Sequence, residues 1–302
     1  MNQEVYHIPA LLPQALDALD IKPDGVYVDA TFGGGGHSRA IVERLGPDGH
    51  LYGFDQDEDA VSRAFTDPRF TIVYGNFRFL SNFLRYYGVD AVDGILADLG
   101  VSFHHFDDAE RGFSFRADAR LDMRMNRRAR ISAVDVVNGY SEEQLAMILR
   151  LYGEVSGAGR MARAIVRARA ERPIETVNRL LEVIDPLIDR RRQKKELACV
   201  FQALRIEVNG ELDVLRSFLT QAADALRPGG RLAIMTYHSL EDRLVKNFMR
   251  SGDFSGQARK DIYGRSSQPL RPLGSKPIMA DEAEVEANPR ARSAKLRVAV
   301  KL

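Results

Sequence analysis

Short apolar runs recur at regular intervals along the first hundred residues, and three of them close at an aspartate. Residues 26–28, 50–54, 70–74 and 92–99 are mostly apolar, with β-branched, aromatic or other large apolar side chains, as strands buried on both faces of a parallel sheet are. Between them the apolar positions take helical spacing, at 13–19, at 38–45 with Ile41, Val42 and Leu45 on one side, and at 80–87. Strand and helix alternate, which predicts an α/β fold built on a parallel sheet. The alternation stops after the fourth strand. Residues 105–210 hold no comparable run, and helical stretches occupy 132–137, 141–151, 160–172, 176–184 and 194–208. Alternation resumes with a helix over 212–226, a tight turn at Arg227-Pro228-Gly229-Gly230, a strand over 231–236 and a last strand over 295–300. Residues 251–277, rich in Gly, Ser, Pro and Arg, read as a mobile loop. The pattern divides the chain into a discontinuous α/β domain, 1–104 with 211–302, and an all-helical insertion, 105–210. No internal repeat is present.

The chemistry gathers where the strands end. After Asp29 the chain reads Ala-Thr-Phe and then four glycines, Gly33 to Gly36, before His37 and Ser38 open a helix. Strand, glycine turn and helix make a cofactor site of the nucleotide type, because backbone approaches closely and helix-start amides face the ligand. Asp55 ends the second strand, 19 positions after Gly36, near the distance at which an acidic residue takes a ribose hydroxyl. A helix cap is the plainer role for Asp55, since Asp57, Glu58 and Asp59 follow. Asp98 ends the fourth strand, so Asp29, Asp55 and Asp98 fall on one rim. Phe77, just past the third strand, is placed to cover a flat ligand face or to fill core.

Charge sharpens this picture. The net charge of the 302 residues is +1, but residues 1–115 carry 8 basic and 18 acidic side chains, residues 116–210 carry 19 and 13, and residues 211–302 carry 16 and 11. An acidic cofactor region suits a cationic cofactor, and the basic remainder suits a polyanion. Arg160, Arg163 and Arg167 share one helical face, and Arg190 to Lys195, with Arg191 and Lys194, form a basic run between helices, so nucleic-acid contact is expected there. The single cysteine, Cys199, excludes a disulfide framework and a Cys-rich metal site. It lies in an apolar helical stretch and reads as a structural thiol. No metal is expected. The chain has no apolar run long enough to cross a membrane and no basic-then-apolar start, which points to a soluble cytoplasmic protein with no membrane partner. Whether it acts as a monomer or a homodimer is not written in the sequence.

Two cofactor classes fit a glycine turn with an acidic ribose ligand. A nicotinamide dinucleotide favours G-x-G-x-x-G, in which Gly33 and Gly35 fit but Ser38 takes the third place, and Asp29 opposes a pyrophosphate. S-adenosylmethionine has no phosphate and carries a sulfonium and an ammonium, which the acidic segment suits better. Methyl transfer is therefore expected ahead of an NAD(P)-dependent oxidoreductase or a non-catalytic RNA-binding module. The run Leu226-Arg-Pro-Gly-Gly-Arg-Leu has the form common in methyltransferases of this fold.

Longer stretches carry a closer resemblance. These are His7-Ile-Pro-Ala-Leu-Leu, Asp29 to Ser38, Asp98-Leu-Gly-Val-Ser, Asp107-Asp-Ala-Glu-Arg-Gly-Phe-Ser-Phe and Leu121-Asp-Met-Arg-Met, then Phe201-Gln-Ala-Leu-Arg-Ile, His238-Ser-Leu-Glu-Asp-Arg and Asn288-Pro-Arg-Ala-Arg-Ser. Spread over nearly the whole chain, they resemble the 16S rRNA (cytosine-N4) methyltransferase family, RsmH or MraW. The resemblance implies a Rossmann-like, S-adenosylmethionine-dependent methyltransferase sheet with an inserted helical domain. It also implies methylation of one cytidine in the decoding region of the small ribosomal subunit. Family cofactor contacts fall on Gly35, Gly36, His37, Asp55, Phe77 and Asp98. His105 stands where the family carries a glutamine, and an imidazole reproduces only part of an amide's hydrogen bonding. Arg120 likewise departs from an Asp-x-Pro-Leu run. For the acceptor rim around cytosine N4 the candidates are Asp98 first, then His105 and His238, a structural place being the competing role for either histidine.

Overall fold

The computed structural model describes residues 9–100, 109–257 and 268–302. The chain divides into two compact units, Met1–Gly100 with Leu212–Leu302, and Val101–Glu211.

The first unit starts with α1 (Leu12–Leu19), β1 (Val26–Asp29), α2 (Gly36–Arg44), β2 (His50–Asp55), α3 (Glu58–Ser62), β3 (Phe70–Tyr74), α4 (Leu80–Tyr86) and β4 (Val92–Asp98). The second unit holds α5 (Ala133–Gly139), α6 (Glu142–Leu151), α7 (Ala158–Glu171), α8 (Val177–Ile184) and α9 (Gln193–Asn209). The chain then continues with α10 (Glu211–Ala225), β5 (Leu226–Thr236), α11 (Ser239–Ser251), β6 (Leu270–Pro272), β7 (Ile278–Met279), α12 (Glu282–Ala287) and β8 (Lys295–Lys301).

One sheet runs through the first unit in the order β3-β2-β1-β4-β5-β8-β6, with β7 also paired to β8. β1 to β5 are parallel, and β8 is antiparallel to β5. The apolar runs are continuous because these strands are covered on both faces: Tyr27, Val28, Ile95, Leu96, Ala97, Leu232 and Ile234 are all 1% exposed or less. Tyr27 is the most demanding of them. Its hydroxyl accepts the Lys22 amide at 2.7 Å, which fixes the ring over Gly25 and Gly94.

Several local expectations are corrected. Arg227 to Gly230 is not a turn ahead of the strand. Leu226 already pairs with Val92, and the register shifts before Arg231 pairs with Gly94, so Arg227, Pro228 and Gly229 loop outward within β5. The cause is the buried Leu226 side chain, and Arg227 pairs with Asp93 at 2.5 Å. The expected loop 251–277 is partly ordered: β6 pairs β8, and Gln268 donates to the Met249 carbonyl at 3.1 Å. Short α3, β7 and α12 were too brief for the apolar period to mark.

The second unit is helical with its own core, in which Leu121, Met123, Val136, Leu145, Ile148, Met161, Leu180 and Leu204 are buried. Three of its helix starts are capped by side chains. Ser132 and Asp135 form a capping box at α5, Ser141 and Gln144 another at α6, and Thr176 accepts the Arg179 amide at α8. Cys199 is half-buried in α9, and burial pushes its thiol above the ordinary range.

A Cβ added at Gly94 meets the Tyr27 ring at 2.8 Å and Leu19 at 3.2 Å, in the middle of the sheet where neither strand can retreat. Gly94→Ala is expected to destabilise the first unit by about 1–3 kcal/mol. Urea unfolding checks this, and an unchanged midpoint contradicts the packing described.

Candidate cofactor and acceptor site

Asp29 closes β1, Asp55 closes β2 and Asp98 closes β4. β2, β1 and β4 are adjacent and parallel, so the three carboxylates share one rim. They flank the point where strand order reverses, the place where open α/β sheets bind ligands.

Asp29 is 1% exposed. Its Oδ2 accepts the Ser38 hydroxyl at 2.7 Å and its Oδ1 the Thr31 amide at 3.1 Å, tying the first turn of α2 to the end of β1. Burial pushes this carboxyl above the usual range, while the His37 charge and the bonds from Ser38 and Thr31 oppose the rise.

The glycine turn lies between these anchors. Gly33 and Gly35 have φ of 52° and 75°, where a side chain would be strained. The Gly33 amide donates to Asp55 Oδ2 at 2.8 Å and the Asp57 amide to Asp55 Oδ1 at 2.9 Å, so turn and carboxylate orient each other. A Cβ at Gly36 would overlap Pro9, whereas one at Gly34 would meet no atom within 4 Å. The turn is thus closed by protein at Gly36 and open at Gly34. No acceptor among the described residues takes the amides of Gly36 and His37 at the start of α2. His37 itself is buried, and its Nε2 donates to the Ala10 carbonyl at 3.1 Å.

Phe77 opens a short 3-10 turn, Phe77–Phe79, after β3, and its ring meets the fully buried Phe218 edge-on at 5.0 Å. Beside it, Asn76 donates to Gln56 at 2.7 Å, linking the ends of β3 and β2.

Asp98 is held from two sides. Its amide donates to Thr31 Oγ1 at 2.6 Å, and its Oδ1 accepts the Tyr237 hydroxyl at 2.6 Å. Burial pushes its carboxyl up. The His37 charge and the Tyr237 bond pull it down, and Asp29 and Glu241 push it up again. Thr31 and Tyr237 were not singled out from the sequence. Thr31 is visible there only as part of the Asp29 motif, and Tyr237 only as the neighbour of His238.

His238 is the N-cap of α11. Its Nδ1 accepts the Glu241 amide at 3.5 Å, and its Nε2 lies 3.1 Å from Glu241 Oε1 without aligning as a hydrogen bond. Glu241 is buried and accepts the Tyr237 amide at 3.1 Å. Asp242 pairs with Arg297 at 2.7 Å. His105 and the rest of 101–108 lie outside the described residues.

In the second unit Arg160, Arg163 and Arg167 are exposed on α7, away from buried Met161, Ala162 and Ile165. Arg160 donates to the Leu187 carbonyl at 3.0 Å and Arg163 to Glu142 at 3.2 Å. Arg191 and Lys194 are exposed where α9 starts. Among the described residues Arg190, Arg191, Lys194 and Lys195 make no ion pair, although the positive end of a helix dipole disfavours them there.

A family model described as the MraW methylase family matches residues 4–302. A protein named Ribosomal RNA small subunit methyltransferase H from Bacteroides fragilis (strain YCH46) is 58% identical over 300 residues, 99% of this chain and 99% of its own. The protein of that name from Phocaeicola vulgatus is 58% identical over 299 residues, 99% of this chain and 98% of its own. The solved structure of an rRNA methylase from Streptococcus thermophilus aligns over 98% of each chain at 12% identity, with a TM-score of 0.44.

Thr31→Val removes the acceptor of the Asp98 amide among the described residues while keeping side-chain shape. It is expected to cost about 1–3 kcal/mol, the penalty for an unsatisfied buried donor. Thr31→Ser, which keeps the hydroxyl, is expected to cost much less. Chemical unfolding of both variants checks this, and equal stabilities contradict the bridging role of Thr31.

Proposed function

The chain belongs to the MraW methylase family, and on that premise we propose that it methylates the N4 amine of one cytidine in small-subunit ribosomal RNA, using S-adenosylmethionine. The observation that carries the site assignment is the set of three strand-end carboxylates around a glycine turn that is open at Gly34. That set suits a ligand with a sulfonium and an ammonium and opposes a pyrophosphate, so an NAD(P) oxidoreductase is not supported.

In this assignment Asp55 takes the ribose hydroxyls, the turn at Gly33 to Gly36 and the start of α2 lie along the cofactor, and Phe77 lies beside the adenine. Asp29 holds the turn and contributes negative potential from below. S-adenosylmethionine, when bound, supplies an electrophilic methyl group.

The acceptor sets the rest of the chemistry. The lone pair of cytosine N4 is delocalised into the ring, so the amine is a weak nucleophile. What it needs most is placement at near-attack distance with its hydrogens held. Asp98 accepts an N4 hydrogen, which localises the lone pair toward the methyl group. After attack the nitrogen is acidic and releases its proton easily, so no strong base is required. The cytidine leaves its stack to reach the rim, at a cost of a few kcal/mol. His238 is fastened to Glu241 and serves the rim as a structural cap. His105 stays a candidate contact.

The helical insertion, 105–210, carries RNA recognition. Its exposed arginines on α7, with exposed Arg191 and Lys194 at the start of α9, are suited to phosphate contact. Among the described residues no helix is long and apolar enough to cross a membrane. Action on ribosomal RNA suits a cytoplasmic location.

The direct test is methyl transfer from labelled S-adenosylmethionine to small-subunit rRNA, with nucleoside mass spectrometry of the product. N4-methylcytidine is expected, and methyl on any other base, or none, refutes the assignment. Asp98→Asn is expected to fold but to methylate at least about a hundredfold more slowly at saturating cofactor, the low end for losing a positioned catalytic group. Full recovery at saturating cofactor would reduce Asp98 to a binding residue.

Neutralising Arg160, Arg163 and Arg167 together, or Arg191 with Lys194, is expected to lower the salt dependence of RNA binding by roughly one slope unit per lost phosphate contact. Cofactor binding is expected to stay the same. A salt slope equal to that of the unaltered protein assigns those charges to solvent.

A further inference from the structure

Tyr237 has no part in the assignment above, yet among the described residues it makes the one side-chain hydrogen bond to the Asp98 carboxylate. We propose that Tyr237 is a positioning residue for methyl transfer: its hydroxyl occupies Asp98 Oδ1 and thereby reserves Oδ2, as a charged acceptor, for the amine of the substrate. The proposal rests on the assignment of Asp98 to the acceptor amine.

The geometry supports it in three ways. First, the phenol is fixed along its length. Tyr237 follows the last residue of β5, beside β4, where Asp98 pairs with Met235. The Tyr237 amide donates to Glu241 Oε2 at 3.1 Å. The ring packs on the core, and its Cδ2 lies 3.6 Å from the point where Gly100 would carry a Cβ. A donor held at both ends loses little freedom when it bonds, so it selects one carboxylate oxygen. Second, the contact is 2.6 Å, the short range of a hydroxyl bonded to a carboxylate. Oδ2 has no partner among the described residues.

Third, the surroundings work against a charged Asp98. Burial, Asp29 on β1 and Glu241 on α11 all favour the protonated acid, and only His37 on α2 and the Tyr237 hydroxyl favour the carboxylate. A protonated Asp98 would offer a donor where the amine needs an acceptor. Burial first, then Asp98 itself and, more weakly, Glu241 and Glu284 push the phenol far above its ordinary range, so Tyr237 keeps its proton and remains the donor of the pair. Removing the hydroxyl lifts a restraint that holds the folded-state pKa of Asp98 down. The fraction of carboxylate at a given pH then falls, and the pH at which activity appears moves upward.

The test is Tyr237→Phe, which keeps the ring and its packing. In cofactor-free protein, the Asp98 carboxyl is titrated by carbon-13 NMR and identified by its loss in Asp98→Asn. Its midpoint is expected to rise by about one pH unit in Tyr237→Phe, as for loss of a hydrogen bond to a charged group. The acidic limb of the kcat profile for rRNA methylation is expected to rise by the same amount, so that the defect shrinks as pH increases. Cofactor affinity and melting temperature are expected to stay close to those of the parent protein. An unmoved midpoint, or a loss of kcat equal at all pH values, overturns the proposal and leaves Tyr237 as packing. A moved midpoint in a protein whose parent does not methylate rRNA supports the Tyr237–Asp98 coupling and refutes the proposed function instead.

Discussion

The site depends on keeping negative charge at the end of a buried parallel sheet. Taking a carboxylate out of water costs several kcal/mol unless hydrogen bonds or opposite charge replace the water. Here the replacement is local and specific. Ser38 and Thr31 serve Asp29, the Gly33 and Asp57 amides serve Asp55, and Tyr237 serves Asp98. Thr31 joins two of these sets, because its amide bonds Asp29 and its hydroxyl accepts the Asp98 amide. The glycine turn is shaped by the bonds that make the carboxylates tolerable. A rim built this way remains short of positive charge, with buried His37 beside it, and a cationic ligand supplies what the protein withholds.

Much of this was legible in the chain. Parallel strands buried on both faces write themselves as continuous apolar runs, so β1 to β4 and the later part of β5 stood out. The ends of three of them were marked by Asp29, Asp55 and Asp98. The interval from Gly36 to Asp55 carried the geometry of a strand-turn-helix-strand unit. What escaped has a common cause. Tyr237 lies 139 positions from Asp98, and Thr31 lies 67 from it, so no periodicity connects them. The outward loop at Arg227 to Gly229 has turn composition. It is a bulge only because Leu226 finds Val92, a long-range pairing. His238 caps α11, and Glu241 in its first turn reaches back to the Tyr237 amide.

The insertion follows a different logic. Its helices are amphipathic, capped by Ser132, Ser141 and Thr176, and close on a core of their own. Arginines are therefore free to occupy the outer side of α7. The cations crowded at the start of α9 oppose the helix dipole, an arrangement that loses its cost when a polyanion is bound. Acidic and basic character are divided between the stretch that holds the cofactor rim and the stretch that follows it, as expected where one ligand is a cation and the other a nucleic acid.

The central claim is that a glycine turn bordered by three carboxylates selects a phosphate-free, cationic cofactor. Isothermal calorimetry on the purified protein, with S-adenosylmethionine and NAD in parallel titrations, tests it most directly. Saturable one-site binding of S-adenosylmethionine and no detectable heat with NAD is the predicted result. Binding of NAD, or no binding of S-adenosylmethionine, would contradict it.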